Sequence, residues 1–111
     1  MKSMSFQKIF RVRDVLLNVT DNVGHYEAFK KTDQYIVWAE DNEPSSVNAN
    51  NKKEIQTIGG TIDYFTKIDG DNNVSEIQKE LTRAGISFRL ESVQYEEDTE
   101  YIHYEWVWEV A

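Results

Sequence analysis

Tyr101 to Val110 reads Y-I-H-Y-E-W-V-W-E-V. Its even positions, Ile102, Tyr104, Trp106, Trp108 and Val110, are all apolar or aromatic, while the odd positions include His103, Glu105 and Glu109. Side chains on a strand alternate between faces, so this spacing predicts a strand with one apolar face and one mostly charged face. A helix would scatter the same five residues around its axis. Indole and phenol rings bring large buried area and a polar tip each. No other segment has as much apolar area per residue, so this strand is the expected centre of the core.

The segments before it supply partners. Glu96 to Glu100 (E-E-D-T-E) is a charged hairpin loop, and Ile86 to Tyr95 is the strand that leads into it. Its apolar residues are even at Ile86, Phe88 and Leu90, then odd at Val93 and Tyr95, a phase slip that predicts a bulge near Glu91–Ser92. Asn73 to Gly85 reads as a helix with a narrow stripe of Val74, Ile77, Leu81 and Ala84. Asn73 and Glu76 have capping-box spacing, and Gly85 is a C-terminal stop. Glu54 to Ile68 is a long strand interrupted by Gly59–Gly60, where a bulge or bend is expected. Tyr35 to Glu40 (Y-I-V-W-A-E) is a short buried strand.

Between those two strands, Asp41 to Lys53 changes character: it holds the chain's only proline and is rich in Asn and Ser. It reads as a long loop, either functional or a tolerated insertion. Gly24 to Gln34 is a connector with some extended character. Ser5 to Val19 has apolar residues at helical period and Ser3 or Ser5 as N-cap. The order is therefore α-β-β-α-β-β. It predicts an α+β fold in a single domain, residues 1–111, with a mainly antiparallel sheet and two helices packed on one face. The other face, with His103, Glu105 and Glu109, is left to water.

The chain has 111 residues and a net charge of −8. Cysteine is absent, which excludes disulfides, thiolate metal sites and a thiol nucleophile. No apolar run approaches the roughly 20 residues that span a bilayer, and the N-terminus lacks the apolar core of a secretory signal, so a cytosolic protein is expected. Overall acidity argues against nucleic-acid binding. The charge is also unevenly placed. From Glu91 onward come Glu91, Glu96, Glu97, Asp98, Glu100, Glu105 and Glu109 with no Lys or Arg, whereas the first helix carries Lys8, Arg11 and Arg13 against Asp14. Either solubility or head-to-tail self-association accounts for that separation. In the second case Lys8, Arg11 and Arg13 of one copy face Glu105 and Glu109 of the next.

Catalytic and metal motifs are not found. His25 and His103 share no local spacing of a metal site. Asp69, Asp71, Asn73 and Glu80 imitate part of a calcium loop, but Val74 stands where the loop needs glycine. Gly59–Gly60 is not followed by a phosphate-loop signature, and there is no nucleophile elbow. The expectation is a protein without catalytic residues, metal or cofactor.

Three segments carry a resemblance: Tyr35–Glu40 (YIVWAE), Gly59–Lys67 (GGTIDYFTK) and Ser92–Val110 (SVQYEEDTEYIHYEWVWEV). With the element order, they resemble the small tail-completion proteins, or tail terminators, of long-tailed phages and prophages of Gram-positive bacteria. The likeness runs over most of residues 5–110 and is one of pattern and length. It implies a non-enzymatic structural protein, without cofactor, that forms a hexameric ring on the tail tube and joins it to the head connector. Its partners would be itself, the tail tube protein and the head connector protein, with no nucleic acid or membrane. Its place would be the host cytoplasm during assembly and then the virion tail. The polar loop, Asp41, Asn42, Glu43, Pro44, Ser45, Ser46, Val47 and Asn48 in particular, would then reach toward the tail. Another head–tail connector subunit, or an acidic binding or inhibitor protein, is the alternative.

Overall fold

The computed structural model describes residues 7–42 and 57–111. After a 3₁₀ turn at 7–9 come α1 (Phe10–Leu17), β1 (Val23–His25), β2 (Gln34–Asn42), β3 (Ile58–Thr66), α2 (Asn72–Arg83), β4 (Ser87–Glu96) and β5 (Tyr101–Val110). The five strands form one sheet in the order β1-β2-β3-β5-β4. Only β1 pairs parallel, with β2; the other three pairings are antiparallel. The chain therefore has the α+β architecture its patterning predicts, with one addition. Val23–His25, at the start of the Gly24–Gln34 connector, form an edge strand, β1, too short to show an alternation in sequence.

The hydrophobic side of β5 sets the core. Trp106, Trp108 and Val110 are buried, together with Trp38, Ile62 and Tyr64 of the neighbouring strands. Val12, Val15 and Leu16 of α1 and Ile77 and Leu81 of α2 close over the same face. Both indole tips find partners: Trp106 Nε1 donates to Gln78 Oε1 on α2 at 2.9 Å, and Trp108 Nε1 donates to the Thr61 carbonyl at 2.9 Å. Ile102 and Tyr104, expected in the core with them, are only partly covered. Their partners across β4, Val93 and Tyr95, are exposed although they share the core face. The helices do not extend over this half of the β4–β5 hairpin.

The bulge expected near Glu91–Ser92 is present, as a register shift between Leu90 and Ser92. Opposite Gly59–Gly60 the irregularity falls on β2, between Glu40 and Asn42. The polar loop expected to begin at Asp41 starts later. Asp41 and Asn42 belong to β2, because that bulge lets Asn42 keep pairing with Gly59. Glu43, Pro44, Ser45, Ser46, Val47 and Asn48 lie outside the described residues, as do Ser3 and Ser5. The cap of α2 also differs: it is Asp71, whose side chain accepts from the Asn73 amide, and Asn73 is already helical. Gly85 ends α2 with φ +74°.

Candidate functional site

The face of the sheet away from the helices is built in cross-strand rows. Tyr35 pairs with Phe65, Phe65 with His103, and His103 with Gln94. The first three rings stack, with centroids 4.7 Å apart for Tyr35–Phe65 and 4.2 Å for Phe65–His103. Tyr101 stands edge-on to Tyr35 at 5.5 Å, donates its hydroxyl to the Thr32 carbonyl at 2.6 Å, and has Lys67 Nζ 4.9 Å from its ring. Tyr35 is consequently only 5% exposed on a face over which, among the described residues, no helix lies.

The next row places charge beside the rings: Val37 pairs with Asp63, Asp63 with Glu105, and Glu105 with Ser92. His103 Nε2 lies 2.7 Å from Asp63 Oδ1, and its Nδ1 lies 3.5 Å from Glu96 Oε2. The bond to Asp63 raises the imidazole pKa above its ordinary value. Burial opposes this, while the charges of Asp63, Glu96 and Glu105 add to it. The neighbouring carboxylates thus favour the protonated ring, which when charged offsets part of this acidic surface. Glu109 is exposed further along the same strand face.

Two other polar clusters have structural roles. Asp71 Oδ2 accepts from Tyr64 (2.5 Å), Thr66 (2.6 Å) and Gln34 (3.0 Å), which ties β2 and β3 to the start of α2. Burial pushes the Asp71 carboxyl up, but the bonds from Thr66, Tyr64, the Asn73 amide and Gln34 outweigh it and hold it below the ordinary carboxylate range. Burial and the bond to Asp71 push the Tyr64 phenol up to about 12. At the β1 edge, His25 Nε2 lies 2.8 Å from Glu40 Oε1, and the Tyr26 hydroxyl bonds to Glu40 Oε2. The His25 ring is stacked between Trp38 and Tyr26, each at 3.9 Å.

The residues singled out from sequence fall in two places. Arg11 and Arg13 lie on α1, and Lys8 in the turn before it, on the helix side. Glu105 and Glu109 lie on the bare side. One copy does not bring these two sets together. Arg11 Nη2 donates to the Ala84 carbonyl at the end of α2 at 2.8 Å, and Arg13 pairs with Asp14 at 3.0 Å. Of the partial calcium loop, Asp71 is occupied as above and Glu80 pairs with Arg83 and accepts from Asn18. Among the described residues no group of His, Asp and Glu is arranged to hold a metal ion.

Sequence reading missed the cluster around His103, whose members come from β3, β4 and β5. The shared parity of Asp63, Phe65 and Lys67 marked that face, but only the register sets Asp63 beside His103. No protein-family model matches the chain, and no curated protein is significantly similar to it.

Proposed function

We propose that this protein is a structural assembly subunit, a tail-completion protein that caps a phage or prophage tail tube as a hexameric ring and joins it to the head connector. The observation that carries this reading is the bare sheet face. Among the described residues no helix lies over this surface, and its stacked aromatic row, Tyr35–Phe65–His103, and adjoining acidic row are already ordered before anything docks on it. Docking on such a face costs little conformational entropy, as a template-dependent contact requires. The resemblance of Tyr35–Glu40, Gly59–Lys67 and Ser92–Val110 to tail terminators supplies the identity of the assembly. The reading needs no catalytic group, and the carboxylates near both histidines are accounted for by pairing.

The basic residues of α1 and the acids of β5 lie on opposite sides of the molecule, so no pair between the two sets forms within one copy. Exposed charge pairs contribute about 0–1 kcal/mol each, so repetition on a tube end is what makes them count. The test is co-sedimentation with tail tubes assembled from the tube protein of the same phage. Wild-type protein should pellet with tubes, in an amount set by tube ends. Glu105→Lys with Glu109→Lys should keep the fold and lose the pelleting at low salt. Wild-type protein that stays in the supernatant would contradict the reading. If the doubly reversed protein pellets as wild type, the bare face is not the docking surface.

A further inference from the structure

Two unlike exposed surfaces lie on opposite edges of the sheet. On the β4 edge, Val93 and Tyr95 are 50% and 60% exposed on the core face. With Ile102 and Tyr104 they line a shallow depression of about 720 Å³ that has Lys67, Asp69 and Glu100 on its rim. On the β1 edge, the loop after β1 holds out Tyr26 and Phe29, 62% and 66% exposed. Lys30 and Lys31 follow directly.

The loop is pre-shaped. It folds back so closely that a Cβ at Gly24 would lie 2.0 Å from the Glu27 carbonyl oxygen and 2.7 Å from the Phe29 amide nitrogen. The Asn22 side chain grips Lys30 by its carbonyl (2.9 Å) and its amide (3.2 Å). Tyr26 sits at φ +74°, a costly conformation for a residue with a side chain, and is held there by its stack on His25 and its bond to Glu40. An aromatic knob fixed before contact loses little entropy on docking.

We propose that Phe29 of one copy seats in the depression on the β4–β5 hairpin of a second copy, with Lys30 and Lys31 against the acids around it. Charge complementarity selects this occupant. Beside the depression the hairpin turn carries Glu96, Glu97, Asp98 and Glu100, and Asp69 lines the rim with one base, Lys67, so this end of the hairpin repels a second hairpin and attracts a basic–aromatic loop. A chain cannot fill its own depression, because knob and depression are separated by the width of the sheet, about 19 Å at the usual strand spacing.

Val23, Ile36, Tyr64, Tyr104 and Val93 form one continuous row across all five strands. Gly24, against which the knob folds, is one residue along from that row, so knob and depression stand at nearly the same height. A contact between unlike surfaces of this kind joins copies head to tail and gives a ring when the rotation between neighbours closes. The bare face, with Glu105 and Glu109, is left for the tube or connector in place of a neighbour's α1. The inference rests on the ring assembly proposed above.

The chain contains no cysteine, so single cysteines report cleanly. Glu27→Cys, which keeps Phe29, and Val93→Cys proteins, each checked by its melting curve, are treated with a short bis-maleimide separately and mixed. The mixture should give severalfold more cross-linked dimer than either protein alone, falling as salt rises. The double variant should give a ladder. Two results overturn the contact: Val93→Cys alone cross-linking as well as the mixture, or the mixture giving no more dimer than Glu27→Cys mixed with Lys79→Cys. Ladders from a protein that ignores tail tubes would keep the contact and remove the tail reading. Tube-bound rings without these cross-links would do the reverse.

Discussion

His103 Nε2 lies 2.7 Å from Asp63 Oδ1, diagonally across the β3–β5 pair, and this bond favours the protonated imidazole on an acidic sheet face. Its raised pKa is a statement about stability. The folded state binds the proton more tightly than the unfolded chain. The contribution is fully present below the ordinary histidine value of about 6.5 and is lost as pH rises through the higher folded value. His103→Gln should therefore lower the melting temperature more at pH 6 than at pH 8.5. An equal loss at both values would show that the ring contributes by packing alone.

Trp106 is fully buried and bonded to Gln78. Trp106→Ala should cost about 3–5 kcal/mol in denaturant unfolding, whereas Ile102→Ala, at a half-covered position, should cost less than about 2 kcal/mol. Similar costs for the two would mean that the helices cover the hairpin in solution.

Gly60 lies under the Trp108 ring. A Cβ there would fall 2.6 Å from Trp108 Cζ2 and 2.0 Å from the Ala39 carbonyl oxygen. Gly60→Ala should cost about 3 kcal/mol or more, since both obstacles are fixed. Gly70, at φ +73° with open space around it, provides the comparison: Gly70→Ala should cost about 1–2 kcal/mol, from backbone strain only. Urea midpoints of the two variants check the order.

Asp71→Ala removes the cap of α2 and leaves the buried Tyr64 and Thr66 hydroxyls without their acceptor. A loss of about 2–4 kcal/mol is expected, with Asp71→Asn losing less. The carboxyl's folded pKa is lowered, so its contribution is present above the unfolded value of about 3.9 and disappears as pH falls through the folded one. Acid titration of wild type and Asp71→Asn, followed by circular dichroism, should show the wild-type advantage shrinking toward low pH. An advantage that held constant through that range would contradict the assignment.

The legible parts of the fold are those with strong alternation. β5 runs over Tyr101–Val110, the limits its pattern sets, and the parity change between Leu90 and Val93 locates the β4 bulge. What escaped reading depended on tertiary pairing. β1 has three residues and is held by β2, and Asp71 displaces Asn73 as cap because Tyr64, Thr66 and Gln34 converge on it. Ile102 and Tyr104 show the limit of parity: it tells which face a residue is on, but not whether a helix extends over it. For the same reason the His103 cluster was legible as a polar face and not as a set of contacts.

The central claim is that the protein docks on a tail tube end as a ring. Negative-stain electron microscopy of tail tubes incubated with the purified protein tests it most directly. The account predicts a ring-shaped density at one end of each tube, absent from tubes alone and lost with Glu105→Lys and Glu109→Lys. Tube ends that look the same with and without saturating wild-type protein would contradict it.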